Sequence, residues 1–396
     1  IHPTTKNVSV ITLNGIPFYS DSSVNSMYTH DVSGTDNDAN GNTGYGFNSL
    51  DSITTGDYNT AIGHQAGSAI NTGFSNTIVG RHAGDALTSG SNNVAIGMGA
   101  LNQEDTGGRN IAIGKAALLN QNFDGSAYNV AIGYEAGKAV TTGITNTLIG
   151  GLAGDALTEG DSNTALGYFA LSSETLGDRN VAIGQSALKL QNNTSDTNVY
   201  NVAVGFEAGK NVSTGTHNTL IGGHAGDALT TGNYNVALGY NALSTEDEHS
   251  ANTAIGFSSL AVLNAGAHGY NTAVGYESGK QMTTGTFNTI MGGLAADALT
   301  TGSFNIAIGY GALTTEDTGS RSVAIGNQAL SNQNYDGNAY NIAIGYEAGK
   351  LISTGIVNTL MGGLAADALT TGTANVALGY AALSSETGGS NNVAIG

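Results

Sequence analysis

The sequence contains no cysteine and no tryptophan, and only two prolines among 396 residues. Without cysteine there are no disulfides and no thiolate metal ligands, so stability has to come from backbone pairing and stacked side chains. Both prolines, Pro3 and Pro17, lie within the first 41 residues, which leaves the rest of the chain free to offer a backbone N–H at every position. Charged residues make up only 10% of the chain, and basic ones are scarce: 11 Lys+Arg against 30 Asp+Glu give a net charge of −19. A nucleic-acid phosphate backbone would be repelled. Apolar runs stop at four or five residues, far short of the roughly 20 that span a bilayer as a helix, so no membrane insertion is expected.

What the chain has in quantity is glycine, 60 residues of it, and the glycines are periodic. The motif Asn-x-x-x-Gly opens at Asn42, Asn59, Asn76, Asn93 and Asn110, again at Asn129, Asn146, Asn163 and Asn180, and continues to the end of the sequence. Its 21 glycines run from Gly46 through Gly63, Gly80, Gly133 and Gly150 to Gly396, mostly 17 residues apart, with spacings of 19 or 21 where every fourth unit is longer. Four coil types therefore rotate in a superrepeat of about 70 residues: 129–138 (NVAIGYEAGK), 146–157 (NTLIGGLAGDAL), 163–171 (NTALGYFAL) and 180–188 (NVAIGQSAL). Three residues after each motif glycine stands Ala or Ser, which requires a small side chain there. The next position alternates between Gly or Ala and Leu, as in Gly137, Gly154, Leu171 and Leu188.

Asn-Val-Ala-Ile-Gly alternates branched residues with alanine, so Val130 and Ile132 share one face of a short strand and Ala131 takes the other, one face being core. The Thr-Thr-Gly or Glu-x-x-Gly that follows reads as a turn, with Gly supplying a positive φ. The expected fold is all-β: a parallel β-solenoid of about 21 coils over residues 42–396, with room for a single helical turn per coil. A joining or capping segment occupies 1–41, where 8–13 (VSVITL) alternates like a strand before an Asn14-Gly15 turn. Because the sequence stops mid-coil at Gly396, the array is expected to continue beyond it.

Stacked coils place equal offsets above one another, so the sequence can be read in columns. The opening Asn, including Asn59, Asn76, Asn129 and Asn146, is replaced only once, by Ser322, which predicts an amide ladder. Five places after the glycine, Lys138, Lys210, Lys280 and Lys350 are each followed one coil later by Asp155, Asp227, Asp297 and Asp367, while Ser68 faces Asp85. That column predicts ion pairs between successive coils. Tyr134, Phe206, Tyr276 and Tyr346 recur one residue after the glycine, each followed by a glutamate. They are candidates for packing between subunits or for stacking on sugars. Asn7 and Asn193 fit the glycosylation pattern.

No metal, cofactor or catalytic set emerges. The eight histidines share no metal-site spacing, and neither a phosphate-binding loop nor a recurring Ser/His/Asp set is present. Glu174, Glu246, Glu316 and Glu386 recur in the third coil type, on a turn, and would be the carboxylates of a polysaccharide-cleaving site if there were one.

In its Asn-Val-Ala-Ile-Gly coils the sequence resembles the head repeats of trimeric autotransporter adhesins, whose β-rolls carry Asn-Ser-Val-Ala-Ile-Gly. The longer pattern at 58–67 (YNTAIGHQAG) and 270–279 (YNTAVGYESG) is similar to that of repeat-rich phage and marine viral tail fibres. The resemblance covers residues 42–396, although the coils here are longer than those of the adhesin heads. It implies a homotrimer, an extracellular or virion location, and a fibre shaft or adhesin that supports attachment to a host-surface glycan or protein. Two other functions fit a solenoid: an extracellular filament subunit, and ice binding through the Thr-Thr-Gly turns at Thr54, Thr141, Thr230, Thr283, Thr300 and Thr370.

Overall fold

The three residues before each motif glycine form a strand, and within 43–183 and within 202–395 each of these strands pairs in parallel with the strand of the next coil. Val130–Ile132 pairs with Thr147–Ile149, and Thr147–Ile149 with Thr164–Leu166. The register matches every motif position to itself, Ala131 to Leu148 and Leu148 to Ala165. In this computed structural model the structure describes residues 8–13, 16–21, 26–29, 38–195, 197–266 and 268–396. They fall into two compact units, Ile1–Tyr200 and Asn201–Gly396. Each is a parallel β-solenoid of about 17 residues per coil, and the described residues contain no helix. The segments expected to allow a helical turn are successions of tight turns instead, closed by bonds such as Ala136 N–H to Gly133 O and Val140 N–H to Gly137 O.

Burial settles which strand face is core. Ala131 is fully buried, as are its equivalents Ala95, Ala112, Leu148 and Ala165, whereas Val130 and Ile132 are only half-buried. The middle residue points into the coil and the two branched residues point outward. Inside, the small residue three after the glycine (Ala66, Ala83, Ala136, Ala153) is fully buried as expected. Bulk then alternates in a compensated way. Coils with Gly at the fourth position carry a large apolar side chain three residues later, as in Gly137 with Val140 or Gly154 with Leu157. Coils with Leu there mostly carry Glu or Gln instead, as in Leu101 with Glu104 or Leu118 with Gln121, the exceptions being Leu50 with Ile53 and Leu260 with Leu263. A Cβ on Gly137 would lie 2.7 Å from Leu148 Cδ1, so the interior has no space for both.

The turn glycine serves a different purpose from the one expected. Gly56, Gly73 and Gly143 do not have positive φ; they are required because the next coil passes too close. A Cβ on Gly143 would stand 2.6 Å from Gly160 O. The motif glycines need both freedoms: Gly133 has φ 144°, and a Cβ there would be 2.3 Å from Gly150 O. Left-handed conformations fall mainly on non-glycine residues, among them Glu135 (φ 53°), Leu118 (φ 50°) and Tyr128 (φ 55°). Each such residue costs about 1–2 kcal/mol alone, and bonds between coils hold them: Glu135 N–H donates to Lys115 O and Leu118 N–H to Ala136 O.

The N-terminal segment joins the ladder. Val8–Leu13 pairs antiparallel with Ile16–Asp21, which pairs antiparallel with Ser26–Tyr28, and Ser26–Tyr28 runs parallel to Thr43–Tyr45. The strand read at 8–13 is present, while the turn read at Asn14-Gly15 lies outside the described residues. Tyr28 is buried against the first coil, where a Cβ on Gly44 would come within 2.9 Å of its ring. The extra residues of the longer coil lie along the preceding turn, in the pairs Gly177–Asp178 with Thr197–Asn198 and the bridges Gly108 to Ser126 and Ser320 to Asn338.

Candidate functional site: the outward columns and the polar interior

The asparagine ladder runs along one corner of each coil. Asn59 N–H donates to Asn42 Oδ1 at 2.8 Å, Asn76 N–H to Asn59 Oδ1 at 3.0 Å, and Asn146 N–H to Asn129 Oδ1 at 2.8 Å. In most coils the side-chain amide also donates to the turn glycine of its own coil, Asn129 Nδ2 to Gly143 O at 2.7 Å and Asn146 Nδ2 to Gly160 O at 2.9 Å, whereas Asn110 Nδ2 and Asn252 Nδ2 have no partner. Asn129 and Asn146 are fully buried, so each satisfies a backbone donor and acceptor that would otherwise be stranded. Where Ser322 replaces Asn, its hydroxyl accepts from Gln333 Nε2 at 2.8 Å.

The outward strand face carries the second set of columns. The residue just before the motif glycine points outward yet is apolar throughout: Ile62, Val79, Ile96, Ile113, Ile132, Ile149, Leu166 and Ile183 follow Tyr45 in the first unit, and Val, Ile, Leu or Met fill the position from Val204 to Ile395 in the second. Several are substantially exposed, from Ile344 at 37% to Met291 at 43%. Flanking this column are two aromatic-rich ones. Tyr134, Phe206, Tyr276 and Tyr346 are 47–57% exposed, as the sequence placed them. Tyr240, Phe257 and Tyr276 stack at 5.7 and 5.4 Å, and on the other flank Tyr270, Phe287 and Phe304 stack at 5.2 and 5.0 Å. Lys115 sits 5.1 Å from the Tyr134 ring and Arg109 5.5 Å from Tyr128. Periodicity alone did not show the apolar column to be external, because both faces of Val-Ala-Ile read as apolar.

The lysine column makes its ion pairs within its own coil. Lys138 Nζ lies 3.1 Å from Glu135, and Lys210, Lys280 and Lys350 lie 3.0 Å from Glu207, Glu277 and Glu347. The coils are in the expected register, since Asp155 O accepts from Ala139 N–H and Asp85 from Ser68 Oγ. The tight turn at left-handed Glu135 simply brings its carboxylate nearer than the half-buried Asp155. The Tyr134 hydroxyl and then Lys138 hold Glu135 below its usual range; burial pushes Asp155 and Asp227 up. Oδ1 of Asp155, Asp227 and Asp367 has no hydrogen-bond partner, whereas Asp297 accepts from Thr314 Oγ1.

Of the recurring glutamates, Glu174, Glu246 and Glu316 lie inside the coil, fully buried like Glu104 at the same position, while Glu386 is only half-buried. Gly107 N–H donates to Glu104 at 2.7 Å and Gly177 N–H to Glu174 at 2.9 Å, and the next coil adds Gln191 Nε2 to Glu174 at 2.8 Å and Gln333 Nε2 to Glu316 at 2.9 Å. Burial raises Glu104 to about 7 and also raises Glu316. These carboxyls organise turns and do not face one another across a groove. Glu246 differs: its partner is His249, with Nδ1 at 2.6 Å from Oε1.

The leading threonines of the Thr-Thr-Gly turns use their hydroxyls internally, Thr141 Oγ1 donating to Thr158 O at 3.2 Å and Thr230 Oγ1 to Asp247 O at 2.9 Å. Asn193 is buried, its amide donating to Glu174 at 3.0 Å, so its glycosylation pattern is masked by the fold. Compared with protein-family models, curated proteins and solved structures, the chain matches none.

Proposed function

We propose that this chain is the shaft of an extracellular fibre, of the tail-fibre or adhesin kind, and that copies of it pack side by side as a homotrimer through the outward strand face. The observation that carries the reading is the column from Ile62 to Ile183 and its counterpart from Val204 to Ile395, apolar in coil after coil although it points away from the core. A solvated face of a half-buried sheet is ordinarily polar, and a repeated apolar one is the mark of a surface that is covered. A second copy covers it in every coil at once, because its repeat has the same period. The exposed tyrosines, among them Tyr134 and Tyr346, rim that face. The fibre extends and supports attachment to a host-surface glycan or protein.

The test is the native mass of the soluble chain by sedimentation equilibrium, followed by electron microscopy of the same sample. A trimer supports the reading; an open head-to-tail polymer favours a filament subunit joined through residues 1–41. Ice binding is the weaker alternative, since the leading threonine hydroxyls are bonded to the neighbouring coil. Absence of thermal hysteresis at high concentration removes it.

A further inference from the structure

The interior column seven residues after the motif glycine repeats apolar, apolar, Glu, Gln. In the superrepeat that begins the second unit it departs from this pattern: Leu263 stands where Gln121, Gln191 and Gln333 stand elsewhere. The same superrepeat departs at a second position, where His249 replaces the glycine found at Gly107, Gly177, Gly319 and Gly389. The two changes act on one carboxylate. Glu174 and Glu316 each have an oxygen bonded by the glutamine, and Leu263 cannot supply that donor to Glu246. Glu246 is fully buried and its Oε2 has no hydrogen-bond partner. Meanwhile His249 Nδ1 has come to 2.6 Å from Glu246 Oε1 and 3.9 Å from Asp247 Oδ1. One ligand atom from each of the three residues lies within 4.8 Å of the others.

We propose that Glu246, Asp247 and His249 form a binding site for a divalent transition-metal ion of the Zn²⁺ class. One imidazole nitrogen and two carboxylate oxygens are the donors such ions take, whereas Ca²⁺ asks for six or more oxygens. A buried carboxylate oxygen without a donor is satisfied by a cation beside it. His249 is 15% exposed and Asp247 45%, so the site opens to solvent on the Asp247 side and water completes the coordination. Ligand atoms around a tetrahedral ion with bonds of about 2.1 Å stand roughly 3.4 Å apart. The short Glu246–His249 contact therefore opens and the Asp247 contact closes when the ion enters, a movement within reach of the two more exposed side chains. This inference is independent of the assembly proposed above.

The full chain, stripped with chelator, is titrated with Zn²⁺ by calorimetry and with Co²⁺ by visible absorption. The expected result is one ion per chain at about micromolar affinity, with Co²⁺ developing ligand-field bands, and a loss of about tenfold or more in His249→Gly. That variant restores the residue of the sibling coils, and the double variant His249→Gly, Leu263→Gln restores their glutamine as well; both are expected to keep the wild-type circular dichroism, and the double variant to bind no ion at this site. No saturable binding by the wild type, or equal uptake by wild type and His249→Gly, overturns the proposal. Equal uptake would be the general attraction of cations to a chain of net charge −19.

Discussion

The backbone N–H of Asn163 donates to Asn146 Oδ1 of the preceding coil at 2.9 Å. The same side chain donates through Nδ2 to Gly160 O, so one amide closes a corner and fixes the stacking of the next coil. Asn146→Ala strands both buried partners, and two unsatisfied groups at roughly 1–3 kcal/mol each predict a loss of about 2–6 kcal/mol. Denaturant unfolding measures it. Hydrogen exchange at Asn163 and Thr164 should rise before that of distant coils.

Glycines separate into those that touch the next coil and those that do not. Gly143→Ala forces a Cβ against Gly160 O and is expected to cost at least about 2 kcal/mol. Gly266 has φ 69° but nothing within 4 Å of its notional Cβ, so Gly266→Ala should cost only about 1 kcal/mol, the price of its backbone conformation. Thermal melting of the two variants side by side decides it. Equal losses would mean that coil spacing is not what requires the turn glycine.

Charge at the Lys138 position contributes little. The Lys138–Glu135 pair is half-buried at the surface, and Lys138→Met should change stability by under about 1 kcal/mol. Asp155→Asn should stabilise the fold at neutral pH, because burial opposes the charged carboxylate, whose Oδ1 is unpartnered. Urea unfolding at neutral pH checks both; destabilisation by Asp155→Asn would show that Lys138 supports Asp155 after all.

Glu104 gives stability a pH dependence of definite sign. Its folded value of about 7 lies above its ordinary 4.5, so between those values the folded chain holds a proton that the unfolded chain has released. Stability contributed by the protonated carboxyl is complete below about pH 4.5 and declines as pH rises to about 7, by up to about 3 kcal/mol. Glu104→Gln should therefore match wild type near pH 4.5 and exceed it near pH 8 in melting temperature. A difference that is flat across that range would place Glu104 in a more solvated setting.

Much of this fold was legible in the sequence, and the reason is the repeat. Columns such as Asn59–Asn76 and Ala66–Ala83 follow from period alone, since stacking in register is the only way each coil meets an identical neighbour. The parts that were not legible depend on distances within a coil. Nothing in Val-Ala-Ile states that the coil is too narrow to take Val130 and Ile132 inside, and nothing in the spacing of Lys138 states that a left-handed Glu135 reaches it before Asp155. The glutamates were read as turn residues, and their place on a turn does not state that the side chain is buried. Their pairing with Gln191 and Gln333 across a coil, and the absence of that glutamine at Leu263, was the available signal.

The central claim is that the outward strand face is covered by further copies of the chain, and the direct measurement is sedimentation equilibrium of wild type beside Ile132→Glu, Ile149→Glu. Both residues point outward, so the double variant should keep the wild-type circular dichroism. The account predicts a trimeric mass for wild type and a shift toward monomer for the variant. A monomeric wild type, or a trimer that the two glutamates leave unchanged, would contradict it.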